Sequence, residues 1–585
     1  MTVLGEATTF KRDWLDGFAT AYGRTVRKVP GAYGVVARRA PRPGKVAVVI
    51  GGGCGHYPAF AGLVGPGLAD GAVVGDVFTS PSAEQVYRTA READQGGGVL
   101  FSYGNYQGDV LHFGLAARRL AAEGVDSRTV LVTDDIASGP ARNPERRRGV
   151  AGDLLVFKVA GAAAERGDDL DAVHAAAAKA NAATRTFGAA FGGCTLPGAA
   201  EPLFTVDPDA MELGLGIHGE PGVRTVGRLG AEALADELVD GLLPELPSGA
   251  RIAVLLNGLG RTKYEEMFAA FPRIHRRLAE AGLTVLDSQV GEFVTSLDMA
   301  GLSLSAMVLD DELAELYAAP CDTPGYRSTG AVLEPVATER TEDAGLERPA
   351  DSPVAGPVDR ALTAAMVRLE EQEEELGRLD AVAADGDHGL GMTRGIRAAV
   401  AAARAAEQGG EPVSGALLAA GTAFADAAGG ASGALYGVLL TETGAGLAGL
   451  DPAEIGPVAL SRAVDGAVAA FTELGGAEPG DKTMLDAIGP FRAELSAHAA
   501  RAGAAAGPAE AVAAWSEAAD CAAEAARGTA GLLPAKGRAA RLAARSQGHP
   551  DPGATSFAHL VGAVAETARA ALAESAATGA EEPAP

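Results

Sequence analysis

Strand-forming runs stop part-way along this chain and do not return, and that asymmetry limits its possible folds more than any other feature. Before residue 326, short apolar runs alternate with turn residues: Lys45 to Ile50 (KVAVVI), Val73-Val74, Val99 to Tyr103, Thr129 to Thr133 and Arg251 to Leu256 (RIAVLL). Their length and their β-branched or aromatic content are those of buried strands. Beyond residue 358 the sequence reads as alanine-rich helix broken by glycine loops. Between the two, Tyr326 to Val358 is polar and dotted with Pro349, Pro353 and Pro357, a linker composition. A chain of 585 residues also exceeds what one core can organise. The expected layout is an α/β domain over 1–328, with lobes of roughly 1–185 and 186–328. A linker (329–355), an all-α domain (356–578) and a disordered tail (579–585) follow.

Charge narrows the function. A net charge of −27 argues against a nucleic-acid groove or an anionic membrane surface as the main partner. Any anionic ligand must therefore be met locally, by metal, by glycine backbone or by a few arginines and lysines. The four cysteines, Cys54, Cys194, Cys321 and Cys521, show neither a CxxC pair nor zinc spacing, which suits a reducing compartment. No apolar run is long enough to span a bilayer, and the N-terminus lacks the pattern of a secretory signal. A cytoplasmic protein is expected.

The strand at Lys45 to Ile50 runs into Gly51-Gly52-Gly53-Cys54-Gly55-His56. A dinucleotide fingerprint fails there, because His56 or Pro58 occupies its last glycine, and a P-loop fails for want of Gly-Lys-Ser/Thr. Gly104-Asn105-Tyr106-Gln107-Gly108-Asp109 and Asp134-Asp135 also follow strands, where open α/β sheets keep their ligands. Farther on, Gly214 to Gly222 (GLGIHGEPG) holds His218 between glycines, with Glu220 two residues on. Such a histidine has room for a reactant at its ring, and a neutral imidazole nitrogen can add to a carbonyl carbon.

In the helical half, apolar residues at Leu362, Met366, Leu369, Leu376 and Leu379 predict an amphipathic helix from Val358 to Leu379. It should end near Ala384, where Asp385-Gly386-Asp387 favours a turn. Asp380, Asp385 and Asp387 then converge, and a hard divalent cation relieves their repulsion. An EF-hand is excluded, since Gly389 and Ile396 stand where it needs ligands. Mg²⁺ fits, because it combines a few carboxylates with substrate phosphates. Gly429 to Ala434 (GGASGA) can present backbone N–H groups at a helix N-terminus, as a phosphate cradle does. Gly480 to Met484 (GDKTM), Lys536, Arg538 and the Arg545 to Gly553 loop add cations and hydroxyls, so the whole describes a nucleotide site.

Taken in order, these motifs resemble single-chain dihydroxyacetone kinases over nearly the whole length. GGGCGHYPAFAG, GDVFTSPSA, GNYQGD and GIHGEPG are similar to the ketone-binding K domain; DGDHG, GGASGALYG, GDKTM and SQGHPDPGA are similar to the nucleotide-binding L domain, a helical barrel. The resemblance implies that His218 forms a covalent hemiaminal with the ketone. It also implies that His56 and Asp109 handle the proton of the attacking hydroxyl, in a pocket of Gly53, Cys54, Gly55, His56, Gly104 and Asp109. Asp380, Asp385 and Asp387 would hold two Mg²⁺ ions. ATP would meet His388, Gly389, Leu390, Gly391, Ala431, Ser432, Gly480, Thr483, Met484, Arg538, Asp551, Pro552 and Gly553. A homodimer is also implied.

The chain departs from the common family pattern at Cys54, Tyr57 and Phe60 in the first loop, at Gly104 in place of lysine, and at Gly258 and Arg261. Ala540, Arg541, Ala543 and Ala544 alter the GRASYLGERS loop. GGGxGHYPAF with NGLGRTKYEE is similar to bacterial kinases of the four-carbon ketose erythrulose, so erythrulose is the expected substrate. Dihydroxyacetone is the alternative, followed by FAD cyclisation and a ligand-sensing regulator.

Overall fold

A computed structural model describes residues 7–331, 333–335, 356–503, 506–535 and 545–579. Most of the expected linker, Lys536, Arg538, the substituted Ala540, Arg541, Ala543 and Ala544, and the tail beyond 579 lie outside the described residues. The chain divides into two compact units, Met1–Glu339 and Arg340–Pro585.

The first unit carries two six-stranded sheets. One is built from β1 (Val26–Lys28), β2 (Gly34–Ala37), β3 (Ala47–Cys54), β4 (Gly71–Val77), β5 (Val99–Gly104) and β6 (Ser127–Val132), in the order β1-β2-β4-β3-β5-β6. The other is built from β7 (Thr184–Ala190), β8 (Ala210–Leu213), β9 (Arg224–Gly227), β10 (Arg251–Gly258), β11 (Thr284–Gly291) and β12 (Gly301–Val308), in the order β11-β10-β12-β7-β8-β9. The accompanying helices are α1 (Phe10–Ala21), α2 (Ala83–Ala93), α3 (Gln107–Ala122), α4 (Asp153–Arg166), α5 (Leu170–Ala183), α6 (Ala231–Leu242), α7 (Tyr264–Glu280) and α8 (Asp311–Ala318).

β4, β3, β5 and β6 run parallel, and the strand order reverses between β3 and β5. That is a topological switch point, where a crevice opens beyond the C-terminal strand ends. β3 does not stop before its glycines, as the sequence pattern suggested, but continues to Cys54. The reason is packing: a Cβ at Gly52 would lie 2.4 Å from the Phe60 ring, and one at Gly53 would lie 2.6 Å from the Thr79 nitrogen. Only bare backbone fits there.

Among its described residues the second unit has helices and no strand: α9 (Pro357–Glu371), α10 (Glu373–Ala381), α11 (His388–Gln408), α12 (Val413–Ala428), α13 (Gly430–Gly446), α14 (Pro457–Gly475), α15 (Leu485–Ala502), α16 (Pro508–Gly528) and α17 (Pro552–Gly579). Each helix from α11 to α17 packs on the next, and α9 packs on both α17 and α11, closing an eight-helix ring. Its core includes Leu362, Met366, Ile396, Phe424, Phe491 and Phe557. The single helix expected from Val358 to Leu379 is broken at Gln372, where φ is −105° and ψ is 4°. Glu370, Glu371 and Glu373 to Glu375 crowd like charges around that point. The break also brings the Glu373 carbonyl against Gly389, where a Cβ would lie 2.0 Å from the oxygen. Among the described residues, no helix is long and apolar enough to cross a membrane.

Candidate active site

In the first unit, His56 follows β3 and Asp109 lies in the first turn of α3, just after β5, so they flank the switch point. His218 comes from the loop joining β8 to β9 of the other sheet. The segment between β11 and β12 ties these loops together. His56 Nδ1 contacts the Thr295 carbonyl at 2.7 Å, the Thr295 hydroxyl donates to the Gly55 and Tyr57 carbonyls, and the Ser296 hydroxyl donates to the Ile217 carbonyl.

The ring contacts assign the tautomers. His56 Nδ1 faces a carbonyl and must donate to it; His218 Nδ1 lies 3.1 Å from Glu220 Oε1 and donates to that carboxylate. The two Nε2 atoms face one another 3.2 Å apart. Glu220 is held in turn: its Oε2 accepts from the His218 backbone N–H at 2.5 Å and lies 3.5 Å from Arg148, which is anchored 2.9 Å from Asp135. Phe78 packs 5.0 Å from each of the His56 and His218 rings, and Tyr106 packs 5.1 Å from His218.

Burial holds the His56 imidazole down to about 3, so His56 is neutral at physiological pH. Asp109 is buried with Oδ1 lacking a partner, and burial raises its carboxyl to about 6 against the opposing Ser80 hydrogen bond. Burial pushes the Cys54 thiol up to about 12, so it is no nucleophile at neutral pH. Gly104 ends β5 under the Tyr106 ring; a Cβ there would lie 3.0 Å from that ring. Tyr57 turns toward Trp14 and Phe18, whereas Phe60 lies edge-on to His56. Asp134 accepts from the Val150 and Gly152 N–H groups and serves as a strut for that loop.

In the second unit the N-terminal ends of α11, α13, α15 and α17 line one cavity of about 360 Å³. Alternate helices of an up-and-down ring begin at the same end, so their positive dipole ends converge there. The cavity is lined by Asp380, Asp385, Asp387, His388, Gly391, Ala431, Ser432, Thr483, Met484, Asp551, Pro552 and Gly553. Gly389, Leu390 and Gly480 are not among its lining residues: Gly389 packs on α10, Leu390 is exposed, and the Gly480 N–H donates to Asp486. Arg538 lies outside the described residues.

One carboxylate oxygen from each of Asp380, Asp385 and Asp387 lies within 4.8 Å of the others. Asp380 ends α10, and its Oδ2 accepts from Gly386 N–H, whose φ of +81° makes the turn. Three converging carboxylates beside helix N-termini suit a hard cation shared with phosphate oxygens. His388 joins three helices, its Nε2 lying 2.9 Å from Ser556 Oγ and its Nδ1 3.3 Å from Ser432 Oγ. Lys482, expected to bring a cation to this site, lines the same cavity but is buried. Its Nζ donates to the Leu532 and Ser546 carbonyls, pinning the GDKTM loop to the loop before α17. Burial raises Asp551 to about 7. Sequence reasoning passed over Thr295, Ser296 and Arg148, which carry no motif of their own; Glu220 was visible only as an acid near His218.

The first unit thus brings His56, Asp109 and His218 to one crevice, and the second brings three aspartates to a cavity ringed by helix N-termini. The Dak1 domain family matches residues 16–325, and the DAK2 domain family matches residues 382–566. The chain is 50% identical over 578 residues to D-erythrulose kinase of Mycolicibacterium smegmatis, covering 96% of this chain and 98% of that one. It is 49% identical over 579 residues to L-erythrulose 1-kinase of the same organism, covering 96% and 99%. Among solved structures, the dihydroxyacetone kinase of C. freundii in complex with AMP-PNP and Mg²⁺ is 29% identical with a TM-score of 0.58, over 97% of this chain and 99% of that one. The chain belongs to the dihydroxyacetone kinase family, with both domains in one polypeptide.

Proposed function

We propose that the protein is an ATP-dependent erythrulose kinase that captures its ketose on His218. The observation that carries this reading is the pair of Nε2 atoms facing one another at 3.2 Å, with both Nδ1 atoms committed as donors. A ketone entering there meets a lone pair on His218 Nε2. A C–N bond forms as the carbonyl π pair moves onto oxygen, a hydronium ion from solvent protonates that oxygen to a hydroxyl, and positive charge builds on the imidazole ring. Glu220 at Nδ1 stabilises that charge, and Arg148 keeps Glu220 in place.

The terminal hydroxyl of the hemiaminal loses its proton to Asp109, with His56 as the neighbouring acceptor, and its oxygen bonds to the γ-phosphorus of ATP as ADP leaves. Fixing the alcohol covalently supplies the positioning on which phosphoryl transfer depends. Asp380, Asp385 and Asp387 would hold two Mg²⁺ ions, which when bound neutralise the phosphate charge. The N-termini of α11, α13, α15 and α17 face the same phosphates with N–H groups.

Erythrulose is favoured by the two relatives named for it, which match the chain almost equally, and by Gly104, which leaves no side chain beside Tyr106. The family resemblance extends the reading to a homodimer, which sedimentation of the purified protein tests. The functional test is ATP- and Mg²⁺-dependent phosphorylation of D-erythrulose, L-erythrulose, dihydroxyacetone and glycerol. Preference for one erythrulose, with glycerol inert, is expected. Preference for dihydroxyacetone would reassign the substrate, and phosphorylation of glycerol would remove the need for a carbonyl.

A further inference from the structure

Arg394 lines the same cavity as the three aspartates, yet has no hydrogen bond or ion pair among the described residues, and its Nε is buried without a partner. The next two arginines of α11 behave differently. Arg397 holds Glu370 at 2.8 Å, and Arg404 holds the buried Asp359 at 2.9 Å. Position explains the contrast. Asp387, Gly391 and Arg394 stand at i, i+4 and i+7, on one face of the helix start. Long helical side chains lean toward the N-terminus, so the Arg394 guanidinium is directed back toward the aspartate end of the cavity.

Arg394 is half-buried, and its Nε is out of water with no protein acceptor, so an anion entering the cavity would supply the missing partner. No carboxylate among the described residues supplies one at ion-pair distance. Guanidinium matches phosphate through paired N–H donors in a planar fork. We infer that Arg394 binds the phosphate tail of the nucleotide, as a cationic contact separate from the metal carboxylates. This rests on reading the cavity as the nucleotide site.

Calorimetric titration of the full-length protein with ADP, AMP and adenosine in Mg²⁺ tests the role. Arg394→Gln should weaken ADP binding about 10- to 100-fold, weaken AMP less and leave adenosine unchanged, while Arg394→Lys recovers part of the loss. Arg397→Gln, which removes an arginine already paired to Glu370, should bind ADP like the wild type. ADP affinity within about two-fold of wild type in Arg394→Gln would overturn the role, and so would an equal loss for adenosine, which marks a structural defect. If the wild type binds neither ADP nor ATP, the nucleotide reading of the cavity fails and the role falls with it. Melting curves on both variants identify misfolding, and Arg394→Lys carries the comparison if the glutamine variant unfolds.

Discussion

Replacing Glu220 by glutamine removes the charge beside His218 Nδ1 while keeping the side chain's size. Coulomb attraction across 3.1 Å at an effective dielectric of about 20 is about 5 kcal/mol. That is an upper bound, because the two side chains are 22% and 30% exposed and solvent screens the pair. A hydrogen bond to a charged group contributes about 1.5–3 kcal/mol net, which at 1.36 kcal/mol per decade is about a 10- to 150-fold loss in rate. A glutamine NH₂ can also donate to Nδ1, moving the ring proton to Nε2 and removing the nucleophilic lone pair. Steady-state kinetics with varied ketose and saturating MgATP should show kcat/KM for the ketose falling by that factor, with KM for MgATP unchanged. Arg148 keeps Asp135 as partner, so the fold should survive. A fall of less than about three-fold, or one confined to the MgATP terms, would refute the argument that Glu220 supports charge on His218.

Asp109 must be ionised to take a proton, and burial raises its carboxyl to about 6, so kcat/KM should climb with pH through about 6 and then level off; a flat profile from pH 5 to 8 would exclude it as the base. Three carboxylates within 4.8 Å repel when no cation is bound, so Mg²⁺ should raise the melting temperature of the second unit, and Asp387→Asn should raise it without metal while abolishing the Mg²⁺ increment. Thermal scans with Mg²⁺ and with chelator decide this, and an unchanged Mg²⁺ increment in the variant would exclude Asp387 as a ligand. His498 joins α15 to α16 with each ring nitrogen 2.9 Å from a carboxylate, of Glu510 and Glu517, and both hydrogen bonds raise its imidazole above the ordinary value. Its stabilising effect should be complete below the unfolded value of about 6.5 and fade as pH rises through the folded value, so wild-type and His498→Gln urea midpoints should differ most in acid and converge in alkali.

The parallel strands and the helical half were legible in the sequence because each follows a simple period. The glycine strand was less so: the pattern shows a strand running into Gly51 to Gly53, and only the Phe60 ring and the Thr79 backbone show why these residues belong inside β3. Asp380, Asp385 and Asp387 are neighbours in sequence, so a turn signal sufficed to bring them together. The Thr295-Ser296 clamp could not be read, since its partners stand 238 to 240 residues away for Thr295 and 79 for Ser296. Lys482 lines the cavity, but its local motif did not show the carbonyls that hold it, which come from Leu532 and Ser546.

The measurement that reaches the central claim most directly is the carbonyl ¹³C resonance of labelled erythrulose bound to the protein without nucleotide. Capture on His218 predicts that the ketone signal gives way to a tetrahedral carbon with the wild type and persists with His218→Ala. A ketone signal that persists on wild-type protein saturated with a ketose it phosphorylates would contradict the account.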